Sequence, residues 1–293
     1  MRTFEWFCAI DWSGAKGKRQ KGIAVAISHM SGGAPVLVER HMPWSRAEVL
    51  AILRDGLPAD TLVGMDLGIA LPFADCGAYF PGWADSPTDG KALWAMVDRI
   101  CGGDPDLAAG GFVDHPEIAP YFRRDGGREG DRFHHHDAPD KRGRFRVTEH
   151  AQQAMGCKPT SNFNLIGAAQ VGKSSLTGMR VLHRLEGAIP VWPIDPLPQA
   201  GSVIVEIYTG LAALEAGRTA NSSKLRDHSA LNDALAVLGS PVPAGTGPID
   251  DHSSDALLTA AWLRKVAGER QRWTPEALTP QIAATEGWTF GAF

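Results

Sequence analysis

Short, nearly unbroken apolar runs mark the two ends of the chain, and stretches with a helical period lie between and after them. TFEWFCAID (3–11), GIAVAISHM (22–30) and APVLVERHM (34–42) read as strands, with the Gly- and Lys-rich WSGAKGKRQKG as the turn joining the first two. Two turns between three such runs predict an antiparallel meander. Ser45 next supplies an N-cap, Glu48 completes a capping box, and Gly56 stops the helix SRAEVLAILRDG. TLVGMD (61–66) is apolar up to its last residue, the composition of a strand covered on both faces.

From Leu67 to Pro198 the pattern is broken by many Gly and Pro residues. GKALWAMVDRIC and SSLTGMRVLHRLEG are predicted helices there, separated by the polar, Gly-rich segment 122–146 and closed by the Pro-rich IPVWPIDPLPQAG. SVIVEIYTG returns to strand character, and YTGLAALEAG, DHSALNDALAVLG and DDHSSDALLTAAWLRKVAG follow as helices. This order predicts an α/β protein with a ribonuclease H-like core. Its mixed five-stranded sheet has the order 3-2-1-4-5 and is flanked by helices, in a single domain 1–293 with residues 67–198 inserted after strand 4. Strands 1, 4 and 5 would run parallel and end at a common edge, where open α/β sheets bind ligands.

The acids fall at that edge. Asp11 ends the first run, Asp66 ends LVGMD, Glu206 ends VIVE, and Asp255 opens the last long helix. An acid that ends a buried strand is costly unless it pairs or binds a cation. Each also has a plainer reading: Asp11 and Asp66 as turn-forming residues, Asp255 as a helix cap. Together they predict a carboxylate cluster for two divalent ions, Mg²⁺ or Mn²⁺, held ~4 Å apart to hydrolyse phosphodiesters, with Asp11 between them. His252 precedes Asp255 by three residues and shares its helix face, as a metal ligand or proton carrier. Asp250 or Asp251 is expected to cap that helix.

HSSDALLTAAW resembles the final helix of RuvC-type Holliday-junction resolvases, in which a His or Asp stands three residues before a catalytic Asp. The whole chain is similar to a family of prokaryotic proteins, domain of unknown function 429, regarded as predicted nucleases of ribonuclease H-like fold. AIDWSG, VGMD, VGKSSLTGMRVLHRL, VIVEIYTGLAAL, DHSSDALLTAAWL and TEGWTFG carry that resemblance over nearly the full length. It implies a nucleic-acid substrate. The resolvases carry their second acid as Glu, whereas Asp66 here follows LVGM, so the division of labour between Asp66 and Glu206 stays open.

Composition adds limits. The 293 residues are 44% hydrophobic and 21% charged, as in a globular protein, and a net charge of -4 excludes a globally basic nucleic-acid binder while leaving room for a local basic face. No secretory signal is recognisable, and no apolar run reaches the ~20 residues that span a bilayer. The four cysteines form no CxxC pair and read as reduced thiols of a cytoplasmic protein, with Cys8 and Cys157 buried.

One rival motif remains. Residues 167–174 satisfy GxxxxGK[ST], in which Lys173 would neutralise phosphate and Ser174 reach magnesium, giving a phosphotransferase or NTPase. The run before it is short and polar for the strand that should precede such a loop, and a Gly-rich helix entry beside the acids is the plainer reading. His134, His135 and His136 with Asp137 suggest metal, although adjacent residues cannot all face one ion. Arg123, Arg124, Arg128, Arg132, Arg142, Arg144 and Arg146 form the best candidate for a phosphate-backbone contact, Lys16 and Lys18 could clamp phosphates, and Trp12 could stack on a base or lie in the core. A catalytically silent binding module of the same fold is the third reading.

Overall fold

The computed structural model describes residues 2–134, 143–167, 171–219 and 224–293. Its centre is a six-stranded mixed sheet of β1 (Trp6–Asp11), β2 (Ala24–His29), β3 (Gly32–Leu37), β4 (Thr61–Met65), β5 (Val191–Trp192) and β6 (Val203–Glu206). The order across the sheet is β3-β2-β1-β4-β6-β5. The meander is as expected: β2 is antiparallel to both β1 and β3, while β1, β4, β6 and β5 run parallel to one another. The expected five-stranded order needs one correction. VIVE is the sixth strand in the chain, and the two-residue β5 lies outside it. Val191 and Trp192 stand between Pro190 and Pro193, so the Pro-rich stretch conceals an edge strand, a position where proline is tolerated.

Ten helices complete the described residues: α1 (Arg46–Ala51), α2 (Gly90–Ile100), α3 (Gly110–Asp114), α4 (Val147–Ala154), α5 (Val171–Arg184), α6 (Thr209–Glu215), α7 (His228–Val237), α8 (Asp251–Val266), α9 (Arg270–Trp273) and α10 (Pro280–Thr285). Ser45 caps α1 with the full capping box to Glu48, after which Ile52–Gly56 widens into a π turn. None of these helices is long and apolar enough to cross a membrane.

Alternation along the strands sorts the core into two layers. Cys8, Ile10, Val63, Met65 and Ile204 face α1, α2 and α5, while Phe7, Ala9, Leu62, Val203 and Val205 face α6, α7 and α8. The stretch between β4 and β6 therefore builds most of one layer of the core, with α1 completing it. On the opposite face α8 lies close over β1 and β2 because the facing residues are small: Ala9, Ala24 and Ala26 from the sheet, Ala256 and Ala260 from the helix. Gly64 carries this furthest, since a Cβ there would stand 2.7 Å from Ile207 Cγ2 and 2.9 Å from Leu263 Cδ1. Close packing of α8 is what brings its first turn over the end of β1.

Candidate functional site

The parallel strands fix the level at which their acids emerge. Ile10 pairs with Met65, Met65 pairs with Glu206, and the Asp66 N–H continues the ladder to Ile10 O at 2.9 Å. Asp11, Asp66 and Glu206 thus reach one edge, and all three line a cavity of about 560 Å³. Asp250 caps α8 by accepting from Ser253 N at 2.9 Å, which leaves His252 and Asp255 to turn toward the same cavity. The cavity also takes in Ser13, Gly14, Arg146, Glu149 and Ser174.

Asp11, Asp66, Asp255 and His252 form one group. His252 Nδ1 lies 2.5 Å from Asp11 Oδ2, with the imidazole about half exposed and the carboxylate nearly covered. Asp66 stands beside Asp11, and their interaction lowers Asp11 while raising Asp66. Burial pushes Asp11 up, opposed by the His252 hydrogen bond. Burial, followed by the charges of Asp11, Asp255 and Glu206, drives Asp66 well above the usual carboxylate range. Burial and then Asp11 push Asp255 up to about 7. Like charges crowded in a low-dielectric edge cannot all ionise without a compensating cation.

Glu206 belongs to a different group. Arg146, only 1% exposed, donates to Glu206 Oε1 at 2.6 Å and to Oε2 at 2.8 Å, and to Glu149 Oε1 at 2.6 Å. Ile69 N–H supplies a second bond to Oε2 at 2.8 Å, and the Thr289 hydroxyl supplies a second to Oε1 at 2.5 Å. Each Glu206 oxygen thus accepts two hydrogen bonds. Glu206, expected as a metal ligand, is instead the acid of a saturated buried ion pair and has no lone pair to spare. The cause is pleat parity: Glu206 pairs with Met65, while Asp66 is one residue further along and faces the other layer. Glu286 extends the network, accepting from Phe73 N at 2.7 Å, Ala74 N at 2.8 Å and Val147 N at 2.7 Å, while its own carbonyl takes Arg146 Nη1 at 3.0 Å. Burial raises Glu149 to about 7 against the pull of Arg146.

Arg146 changes its expected role accordingly. Arg144 does the same, buried against both Asp75 oxygens at 2.6 and 2.7 Å and three carbonyls, so two of the seven arginines expected on a phosphate-binding surface are internal struts. Arg142, His135, His136 and Asp137 lie outside the described residues, and His134 pairs with Glu129 at 2.7 Å. Trp12 is core: its Nε1 donates to Thr177 Oγ1 at 3.1 Å. Cys8, Cys101 and Cys157 are buried thiols.

The GxxxxGKS segment divides between two cavities. Ser174 lines the acid cavity, whereas Lys173 lines a neighbouring one, 3.8 Å from Asp125 Oδ1. Among the described residues only an isolated bridge at Asn164 precedes α5, in place of the strand that a phosphate-binding loop of that type requires. Gly14 packs against the first turn of α5 so closely that a Cβ would meet Ser174 N at 2.4 Å.

As a metal site the aspartates fit by chemistry: three hard oxygen donors on a sheet edge and a helix start, with no basic side chain saturating them. Among the described residues no group of three or more His, Cys, Asp or Glu side chains is gathered as an ion-holding set. No family model, curated protein or solved structure matches the chain.

Proposed function

We propose that this chain is a divalent-cation-dependent phosphodiester hydrolase of ribonuclease H-like fold, a nuclease of the domain of unknown function 429 kind. The observation that carries the reading is the crowding of Asp11, Asp66 and Asp255 at one cavity, each raised by burial and met by few basic groups, His252 on Asp11 and Lys224 near Asp255. The sheet order supports it: an antiparallel meander continued by parallel strands delivers the two strand-end aspartates to one edge. Mg²⁺ or Mn²⁺ held there would activate water and stabilise a departing oxygen. The chain's own side chains prepare for this in definite ways. Asp11 and Asp66 would present ionised oxygens once a cation offsets their repulsion, Asp255 completes the set from α8, and His252 fixes the orientation of Asp11 from the cavity mouth. Glu206 and Arg146 stand behind them as a rigid, neutralised wall.

Phosphotransfer is the second reading, favoured by Ser174 at the start of α5 on the same cavity wall. Calorimetry separates the two. The nuclease reading expects Mn²⁺ to bind without nucleotide and Asp66→Asn to abolish that binding, with cleavage of at least one member of a panel of branched DNA, single strands and RNA–DNA hybrids. Mn²⁺ uptake that appears only with ATP, or that persists unchanged in Asp66→Asn, would overturn it.

A further inference from the structure

We infer that a second cavity, of about 390 Å³ and adjoining the acid site, receives the base of a nucleotide whose phosphate lies toward the acids. The inference rests on the nuclease reading and names the part of the substrate that this region takes. Gly14 and Ala15 line both cavities, so the partition between them is the loop after β1. That loop is thin: a Cβ on Gly14 would lie 2.3 Å from the Lys173 carbonyl carbon. It is also fixed. Arg46, buried at 1%, donates to Ser13 O at 3.0 Å and Ala15 O at 2.5 Å on one side and to Asp106 O at 3.0 Å on the other.

The walls are mostly aliphatic, from Ala108, Ala109, Val113, Leu165 and Leu176. Most of the polar side chains among them have partners, while Asp106 and Lys16 add charge to the rim. Asp104 Oδ2 accepts from Gly111 N at 2.7 Å, Arg124 pairs with Asp114, and Thr177 Oγ1 holds Trp12. An apolar, preformed recess with its polar rim largely satisfied favours a flat, uncharged ring over an ion or a sugar. Lys16 and Lys173 stand on the same lining and can meet a phosphate carried by that ring. A nucleotide joins these two chemistries at the required adjacency: a heteroaromatic end for the recess and an anionic end for the partition.

The test measures binding of AMP, GMP, CMP and UMP to the full chain in EDTA, with ribose 5-phosphate as the baseless control. At least one nucleotide is expected to bind tenfold or more tightly than ribose 5-phosphate. Val113→Trp, which fills the recess, is expected to erase that margin, and Asp66→Asn to preserve it. Ala109→Leu replaces Val113→Trp if the latter melts early. Equal binding of nucleotides and ribose 5-phosphate, or a margin that survives filling of the recess, overturns the inference. A margin without cleavage of any strand leaves this site standing and removes the nuclease reading; cleavage without a margin does the reverse.

Discussion

Two acidic groups share one cavity wall and have opposite electrostatic characters. Around Glu206 every carboxylate oxygen has donors, and Arg146 sits between Glu149 and Glu206 with Thr289 and Ile69 completing the set. Around Asp11 the acids face one another, a half-exposed imidazole and, near Asp255, the ammonium of Lys224. The first group is a finished structural element, strongly destabilised by losing either partner. The second is undercompensated, and burial with mutual repulsion raises its carboxyl groups toward the neutral form. A fold keeps such a cluster at a cost in stability, and the finished group beside it supplies the rigidity that allows it.

The comparison predicts substitutions of opposite sign. The largest effect belongs to the finished group: Arg146→Met or Glu206→Gln should destabilise by about 3–5 kcal/mol, because each strands a buried charge or donor. Urea unfolding at pH 7 measures this, and a loss below about 1 kcal/mol would show that the network is not structural. In the open cluster, Asp66→Asn should instead stabilise the metal-free protein by about 1–3 kcal/mol, by removing one of the crowded charges. A metal-free melting temperature unchanged or lowered in Asp66→Asn would count against an unmet charge at that position. The same variant should lose any rise in melting temperature caused by Mn²⁺.

The pH dependence follows with a definite sign. Asp255 titrates ordinarily at 3.8 and Glu149 at 4.5, yet both are raised to about 7 in the folded chain. The native state therefore binds more protons between about 4 and 7, and their contribution to stability is full below about 4 and lost as pH rises through 7. His252, raised by Asp11, acts in the same direction, its contribution being lost as pH rises through its folded value. Metal-free protein should lose about 1–3 kcal/mol between pH 5 and pH 8, and saturating Mn²⁺ should flatten that slope. A stability that rises over this interval would falsify the assignment of raised carboxyl groups. The smallest effect is expected at Trp12→Phe, which forfeits the Thr177 hydrogen bond for about 1 kcal/mol and leaves the Mn²⁺ response intact. A lost Mn²⁺ response there would give Trp12 a part in the site.

Much of this was legible in the residue pattern, and the failures have identifiable causes. The meander, β4, β6 and α8 announce themselves through apolar runs and caps, and with them the common edge for Asp11, Asp66 and Asp255. Glu206 misled because a sequence shows that a strand ends in an acid but not its register against the neighbour. One residue of offset between Glu206 and Asp66 selects opposite layers. Arg146 was hard to place: its partners Glu206 and Glu286 are 60 and 140 positions away, and its neighbours read as a basic phosphate-contacting segment. Glu149 was the available clue, three residues after Arg146 and accepting from both its backbone N at 2.7 Å and its guanidinium at 2.6 Å. The edge strand β5 is too short, and too enclosed by proline, for any periodicity to reveal it.

The segment 286–290 has a consequence for assembly. Glu286 ties down the backbone at Phe73, Ala74 and Val147, Thr289 holds Glu206, and Phe290 N bonds the Glu206 carbonyl at 2.8 Å. Without residues 286–290, Arg146 would lack part of its cage and the loops bordering the cavity would lack their anchor. The pocket's frame is therefore closed by a segment 83 positions beyond Glu206, and the cavity is complete only once that distant segment has docked.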